Sequence, residues 1–243
     1  MVGKVECRVS KNEIKEIRSL SQKKYRERSG LFIVEGEKLV AEALESGFEV
    51  VKVLRMADIG FDAMKAITQL ATPSPALAVV RQMPQEGLQT PLDGPILALD
   101  GIANPGNLGT IIRLAEWFGF GAVLLSEGCA ELYNPKVVQA TMGSLFRVRC
   151  IRGKLPEMLA KLGGEGYSLV GTFLDGENLY EAPLEGRSVI VMGSESDGIS
   201  PEVAAVLDRR VTIPSFALGE RGAESLNVAL AAAIVCSELR RRG

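Results

Sequence analysis

The sequence predicts an α/β protein, because apolar strands and amphipathic helices alternate along most of its 243 residues. Short runs such as Ile96–Leu99 and Ser188–Met192 are apolar enough for strands buried on both faces of a parallel sheet. Segments with helical periodicity, bounded by glycine, proline or asparagine, separate these runs. Hydrophobic residues make up 47% of the chain, which is enough for one large core or two smaller ones.

The first part of the chain, residues 1–82, is predicted to be a small α/β domain. A helix is expected over Ser10–Arg28, where Ser10 and Glu13 can form a capping box. Alternating elements follow, with strands at 31–34, 50–54 and 76–80 and helices at 36–46 and 61–70. Residues 83–94 contain two prolines and two glycines, which is typical of a linker between domains.

The second part of the chain, residues 95–243, resumes the alternation and is predicted to be a larger α/β domain. A loop rich in glycine and asparagine, Asn104–Gly109, joins the first strand to a helix that Gly119 ends. The last helix is expected from about Glu224 to Arg241 and to be buried, since it is apolar on almost every side. The other predicted strands are 122–125, 146–151, 167–173 and 211–213, and the other helices are 134–142, 156–162 and 201–207.

Composition excludes several classes of function. The chain has no histidine, so neither Ser-His-Asp catalysis nor a common Cys/His zinc site is expected, and we predict no metal. Four scattered cysteines without a C-x-x-C motif are typical of reduced thiols in the cytoplasm. No apolar run reaches about 18 residues and no signal peptide opens the chain, so no membrane association is expected.

Basic residues concentrate at the start of the chain. Nine basic and four acidic side chains give the first thirty residues a charge of +5, although the net charge is −2. A basic arm on an acidic body predicts a local contact with phosphate, although a solvated helix face would show the same pattern. The side chains proposed to contact RNA are Lys11, Lys15, Lys23, Lys24 and Arg26.

Three polar loops follow apolar strands in the second domain, where open parallel sheets bind their ligands. They are Ile102–Gly109, Gly193–Gly198 and Ile213–Asn227. Each alone could be a turn or a helix cap, and Asn107 could simply cap the helix after it. Turns and caps do not explain why all three loops lie in one domain, so we expect a ligand site there.

Together the three loops resemble the motifs of the SpoU-type (TrmH-type) RNA 2′-O-ribose methyltransferases of the SPOUT superfamily. The resemblance lies in Asn107-x-Gly109-x-x-x-Arg113, in Gly193-x-Glu195-x-x-Gly198, and in Ile213-Pro214 followed by Ser225-Leu226-Asn227. It implies a C-terminal methyltransferase domain tied into a trefoil knot. The segment from Lys11 to Gly36 is similar to a substrate-binding domain of that family, which has a ribosomal-protein-like fold and binds RNA.

The resemblance also implies a cofactor, S-adenosylmethionine, and a role for each matching residue. Thr172, Gly193, Ile213, Leu218 and Leu226 would line the cofactor pocket. The positions associated with catalysis and substrate placement are Asn107, Arg113, Glu195, Ser225 and Asn227. The family's site forms across a homodimer, so Arg113 would act opposite the partner's cofactor.

The role of Arg113 stays open at this level. Arg113 lies one and a half helical turns after Asn107, so the two side chains are expected to serve one site. A guanidinium with a pKa above about 12 is a poor base, which favours holding a phosphate or a developing alkoxide over removing a proton.

The predicted function is methyl transfer to a ribose 2′-hydroxyl of a structured RNA, rRNA more than tRNA. An RNA-binding module without activity is the alternative, and the intact polar motif positions argue against it. A dinucleotide-dependent oxidoreductase is disfavoured because Gly101, Gly106 and Gly109 lack the G-x-G-x-x-G spacing. Residues 215–224 are longer than is usual in the family, which affects the expected cofactor contacts near Leu218.

Overall fold

The computed structural model describes residues 9–85, 87–89, 91–184, 186–216 and 224–242. Its contacts divide the chain into two compact units. The N-terminal unit comprises Met1–Pro84 and Glu131–Arg147, and the C-terminal unit comprises Gln85–Ala130 and Val148–Gly243. Within the described ranges, no helix combines the length and the apolar character needed to cross a membrane.

The elements are numbered in chain order. The strands are β1 (Leu31–Glu35), β2 (Val50–Arg55), β3 (Ala76–Arg81), β4 (Ile96–Leu99), β5 (Ala122–Leu125), β6 (Cys150–Arg152), β7 (Ser168–Asn178), β8 (Ser188–Met192) and β9 (Arg209–Thr212). The helices are α1 (Lys11–Ser19), α2 (Lys23–Ser29), α3 (Glu37–Glu45), α4 (Met56–Ile59), α5 (Phe61–Ile67), α6 (Pro105–Trp117), α7 (Pro135–Thr141), α8 (Leu155–Gly164), α9 (Pro201–Ala204) and α10 (Val228–Arg242).

The N-terminal unit is built on an antiparallel sheet of order β1-β3-β2. Successive side chains of the central strand β3 point to opposite faces, and both faces are covered. Ala76, Ala78 and Val80 belong to one apolar cluster, whereas Leu77 and Val79 belong to a second. A small sheet buried on both faces explains why its central strand is apolar at nearly every position.

The helix predicted over Ser10–Arg28 is wrong in one respect, because the structure contains two helices. The predicted capping box is present, with Glu13 N donating to Ser10 Oγ at 3.2 Å and Ser10 N to Glu13 Oε2 at 2.9 Å. Helix α1 stops because the buried Leu20 turns the chain, and its carbonyl oxygen accepts a hydrogen bond from Arg26 Nη1 at 2.8 Å. That tertiary contact is invisible in local periodicity.

The segment 131–147 packs on the N-terminal unit, although it lies among elements of the C-terminal unit in the sequence. Helix α7 was predicted over 134–142, and Gln139 Nε2 on it donates to Glu35 O at 3.1 Å. Glu42 and Arg147 form an ion pair in the same unit. The domain boundary at residues 83–94 stays a prediction. A single boundary there would not account for the segment 131–147, which belongs to the N-terminal unit.

The C-terminal unit contains a six-stranded parallel sheet of order β6-β5-β4-β8-β7-β9, which confirms the predicted fold class. Strands β4, β5 and β8 have the predicted bounds and are buried on both faces. The strand predicted over 146–151 is wrong in its first half. Gly143, with φ of 99°, leads instead into a short 3-10 helix at Ser144–Phe146, and β6 begins only at Cys150.

Helices α6 and α10 pack against each other in the C-terminal unit. The predicted loop Asn104–Gly109 is in fact the first part of α6, because Asn104 caps the helix through bonds from Gly106 N and Asn107 N. Asn107 is therefore free of the capping role. Arg240 on α10 donates to Phe118 O and Gly119 O, which satisfies carbonyl groups at the end of α6.

Candidate active site

Three of the predicted catalytic residues meet in one hydrogen-bonded cluster in the C-terminal unit. Asn227 Nδ2 donates to Glu195 Oε1 at 2.7 Å and to Asn107 Oδ1 at 3.1 Å. Asn107 Nδ2 donates to the same Glu195 Oε1 at 3.2 Å. These hydrogen bonds join positions as many as 120 residues apart in the sequence. The three residues lie in segments that follow strands β4, β8 and β9, on the side of the sheet where these parallel strands end. We call Asn107, Glu195 and Asn227 the polar cluster.

The ends of two helices orient the polar cluster. Asn227 caps α10, since its Oδ1 accepts hydrogen bonds from Ala229 N at 3.0 Å and Leu230 N at 3.3 Å. These two hydrogen bonds fix the Asn227 side-chain amide so that its Nδ2 faces Glu195. Asn107 lies in the first turn of α6, where the cap at Asn104 sets the direction of the helix.

Glu195 is carried by a tight loop between β8 and α9. Ser194 and Gly198 exchange two backbone hydrogen bonds, at 3.0 and 3.1 Å, and Gly198 has φ of 68°. A Cβ on Gly193 would collide with the backbone of Gly198 and Ile199, so only glycine fits there. Asp100 Oδ2 accepts from Ser200 N at 2.8 Å and ties this loop to the end of β4.

The polar cluster is centred on the exposed carboxylate of Glu195, which acts as a hydrogen-bond acceptor. Glu195 Oε1 accepts three N–H donors, including Val228 N at 3.2 Å, and no cation pairs with it in the described ranges. The carboxylate therefore presents negative charge at the mouth of the loops. Such a carboxylate can attract a cationic ligand, or it can accept a hydrogen bond from a hydroxyl or amino group of a substrate.

Arg113 is not hydrogen-bonded to the polar cluster within one chain, and its sharing of one site with Asn107 stays a prediction. Both residues lie on α6, and six residues place them roughly 120° apart around the axis and about 9 Å apart along it. Arg113 is exposed, and its guanidinium has no hydrogen-bond or ion-pair partner in the part of the chain that the structure describes. It remains free to contact another molecule.

Cys150 and Cys236 are poorly suited to nucleophilic catalysis. Burial raises the pKa of the Cys150 thiol to about 12, and burial likewise raises the pKa of the Cys236 thiol to about 12. Neither is a thiolate at neutral pH. Cysteine, aspartate and glutamate also form no group of three suited to a metal ion among the described residues.

Comparison with known proteins identifies the family. The sequence model of the SpoU rRNA methylase family matches residues 94–237, and that of the MRM3-like substrate binding domain matches residues 11–83. The chain belongs to the SpoU rRNA methylase family. The resemblance noted from the three loops is thereby confirmed.

Relatives of the SpoU family match the chain over nearly its whole length. The 23S rRNA (guanosine(2553)-2′-O)-methyltransferase RlmP of Bacillus subtilis is 34% identical and covers 95% of this chain and 97% of its own. A TrmH-family structure from Porphyromonas gingivalis is 42% identical with a TM-score of 0.88, covering 97% and 99%. An AdoMet-bound rRNA methyltransferase structure from Sinorhizobium meliloti is 27% identical with a TM-score of 0.85, covering 96% and 97%.

The remaining predicted site residues form no hydrogen bond with the polar cluster in the described part of the chain. Ser225 and Leu226 directly precede Asn227 and are exposed, and Ser225 forms no hydrogen bond within the described ranges. Thr172 Oγ1 donates to Val191 O at 3.1 Å, so it links β7 to β8. Ile213 is half-buried after β9, while Leu218 lies outside the described residues. No local pattern had indicated the bond of Thr172.

The basic residues predicted to contact RNA divide into two groups. Lys11, Lys15, Lys23 and Lys24 are exposed, as a contact with RNA requires. Arg26 is only 1% exposed and pairs with Glu131, so the prediction that it contacts RNA is wrong. A run of basic residues gives no sign that one of them turns inward. Arg18 is exposed and lies seven residues after Lys11, so that spacing could have added it.

Proposed function

We propose that the protein transfers a methyl group from S-adenosylmethionine to a ribose 2′-hydroxyl of rRNA. The observation that carries the proposal is the polar cluster, which brings residues of three family motifs to one edge of the parallel sheet. Open parallel sheets bind ligands at such an edge. RlmP acts on 23S rRNA, and the Sinorhizobium meliloti structure is that of an rRNA methyltransferase, which favours rRNA over tRNA.

The residues around the cluster suit this cofactor. Gly193 allows the close backbone approach that shapes the loop carrying Glu195, and the half-buried Ile213 and the exposed Leu226 offer apolar contact for an adenosine moiety. Glu195 supplies negative charge for a sulfonium cation. S-adenosylmethionine, when bound, supplies the electrophilic methyl group. The residues that would line its pocket are Thr172, Gly193, Ile213, Leu218 and Leu226.

The remaining chemistry falls to side chains of this chain. Asn107 and Asn227 hold Glu195 in one position, so the cluster arrives pre-organised. Arg113 binds the RNA phosphate or the oxygen that loses its proton. Ser225, exposed at the entrance to α10, is placed to contact the substrate. Proximity and alignment of the hydroxyl then supply much of the rate.

A homodimer accounts for the isolation of Arg113. Trp117 on α6 is 82% exposed and Leu230 on α10 is 61% exposed, although these two helices pack together. Large exposed apolar side chains on adjacent helices suit a symmetric interface. In such a dimer Arg113 reaches the polar cluster of the partner. The proposal also includes the family's trefoil knot in the C-terminal unit and a cytoplasmic location with the rRNA substrate.

Helix α1 carries a basic stripe that fits an RNA backbone. Lys11, Lys15 and Arg18 have the spacing i, i+4, i+7, so they share one face of the helix. All three are exposed and none has an ion-pair partner in the described part of the chain. We define these three residues as the basic stripe.

Reversing the charge of the basic stripe is expected to weaken RNA binding. The double variant Lys11→Glu, Lys15→Glu should lower rRNA affinity about tenfold or more at moderate salt, because each lost phosphate contact removes counterion release. Filter binding at several salt concentrations should show a shallower salt dependence than the wild type. Lys65→Glu, on α5 of the same unit, is the control and should change little. Equal affinity for the double variant and the wild type would show that the stripe is only a solvated face.

The proposed activity is tested by incubating the purified protein with methyl-labelled S-adenosylmethionine and rRNA that lacks modifications. We expect label at a 2′-O-methyl ribose, detected as an alkali-resistant dinucleotide, and little label in tRNA. Cofactor and RNA binding without any transfer would favour the alternative, an RNA-binding module that has lost catalysis. Label on tRNA alone would overturn the rRNA assignment.

A further inference from the structure

A cleft of about 400 Å³ lies wholly within the N-terminal unit. Its volume falls within the range of roughly 300–1,000 Å³ that is typical of small-molecule sites. None of the polar cluster or the basic stripe contributes to it. The walls are mainly apolar, from strand β1, helix α7 and the segment after α5, and they include Ile33, Leu70, Pro135, Val138 and Ala140.

One carboxylate lines this apolar cleft. Glu35, at the end of β1, is only 5% exposed. Its Oε1 accepts from Gln69 N at 2.6 Å and its Oε2 from Thr68 Oγ1 at 2.5 Å. No cation pairs with it among the residues that the structure describes, and burial raises the pKa of this carboxyl above its ordinary value. A buried carboxylate without a counter-ion is energetically unfavourable, and a ligand that donates hydrogen bonds to it would offset that cost.

The carboxylate has capacity left for a ligand. An ionised carboxylate offers about four lone-pair sites, and only one bond per oxygen is used here. The two oxygens therefore present a pair of adjacent acceptors. Gln139 Nε2 binds the carbonyl oxygen of Glu35, so this part of the wall is held by helix α7. Lys136 is exposed where α7 lines the cleft, so the same cleft also carries a cation.

We propose that this cleft binds one unpaired guanine of the RNA, an inference that rests on the proposed function in taking RNA as the substrate. The Watson–Crick edge of guanine carries two adjacent donors, the N1–H and the N2 amino group, which match the two oxygens of Glu35. Adenine and cytosine present a single amino donor on that edge, and uracil presents one imino N–H. The apolar walls contact the faces of the base, and Lys136 contacts its phosphate, in the manner of single-stranded RNA recognition.

A purely structural role for Glu35 is the competing explanation. Its two bonds with Thr68 and Gln69 close the turn after α5, and that alone would account for its position. The two roles differ in what a substitution changes. A turn-closing carboxylate affects stability only, whereas a base-reading carboxylate affects the preference among nucleotides and the KM for RNA.

The test is nuclear magnetic resonance of the full-length protein carrying labelled methyl groups on isoleucine, leucine and valine. GMP, AMP, CMP and UMP are titrated separately, and the signals of Ile33, Leu70 and Val138 are followed. We expect GMP to bind roughly tenfold more tightly than the other three, because only guanine can donate two hydrogen bonds to the two oxygens at once. In Glu35→Gln that preference should vanish. In methyl transfer, the same variant should raise the KM for RNA with kcat unchanged.

A second variant keeps the proposal falsifiable if Glu35→Gln does not fold. Ala140→Leu fills the cleft without touching the carboxylate, and it should weaken GMP binding about tenfold. Equal binding of all four nucleotides, or no change at the three methyl signals, would overturn the proposal. Methyl transfer by the wild type is measured on the same preparation. Guanine preference without transfer would reject the proposed function alone, whereas transfer without guanine preference would reject the cleft assignment alone.

Discussion

Replacing Arg113 by alanine is expected to lower methyl transfer about a thousandfold while changing the affinity for S-adenosylmethionine less than about threefold. Loss of one group that stabilises developing charge typically costs a factor of 10² to 10³. Arg113 is exposed and has no partner among the described residues of its own chain, so its removal should leave the fold intact. Single-turnover kinetics and calorimetry with the cofactor measure the two quantities.

The neighbouring Thr110→Ala is the matched control, since Thr110 is exposed one turn earlier on α6 and its hydroxyl donates to Gly106 O. It should retain nearly full activity. Arg113→Lys should recover part of the rate, because the charge is kept but the planar fork is lost. Near-normal activity of Arg113→Ala would contradict its assigned role.

Mixing two inactive chains tests whether Arg113 acts on the partner's site. Chains with Arg113→Ala are coexpressed with chains carrying Glu195→Ala. Half of the dimers are then mixed, and one of their two sites has an intact cluster facing an intact arginine, so about a quarter of the wild-type activity should return. No recovery in purified mixed dimers would mean that Arg113 acts within its own chain, or not at all.

Replacing Glu195 by alanine is expected to impair cofactor binding, transfer and stability together. The carboxylate is the common acceptor of Asn107, Asn227 and Val228 N, so its loss removes one hydrogen-bond acceptor from each of these donors. We expect methyl transfer to fall about a hundredfold or more. The site is partly open to solvent, so the stability loss should be about 1 kcal/mol, or roughly 2–4 °C in Tm.

The contribution of charge at Glu195 is separated by Glu195→Gln. The glutamine oxygen can still accept the hydrogen bonds, so Tm should be close to that of the wild type, while affinity for a sulfonium cation should fall. Glu202→Ala, an exposed carboxylate on α9 in the same unit, is the control. Full activity of Glu195→Ala would mean that the polar cluster is only a structural feature of the loops.

Local patterns predicted the parts of the fold that local physics decides. The capping box of Ser10 and Glu13 and the strands β4, β5 and β8 were predicted correctly, since caps and apolar runs depend on neighbours in sequence. The break between α1 and α2 was missed because it depends on tertiary contacts. Arg26 looked like a surface residue, yet Glu131 lies 105 positions away and pairs with it.

The candidate site was predictable as a set of residues but not as a geometry. Asn107, Glu195 and Asn227 were selected from motifs, but their meeting depends on the order β4-β8-β7-β9, which no local pattern contains. Helix α6 begins at Pro105, so most of the predicted loop Asn104–Gly109 belongs to that helix. The Glu35 cleft was not predicted at all, since it forms only when residues 131–147 pack on β1.

Mapping of ribose methylation tests the central claim most directly. rRNA is compared from cells that carry the gene, cells that lack it, and cells that carry only the Arg113→Ala variant. We predict that one 2′-O-methylated nucleotide of rRNA is present in the first and absent from both others. Identical rRNA methylation in all three would contradict the account, whatever the protein binds in isolation.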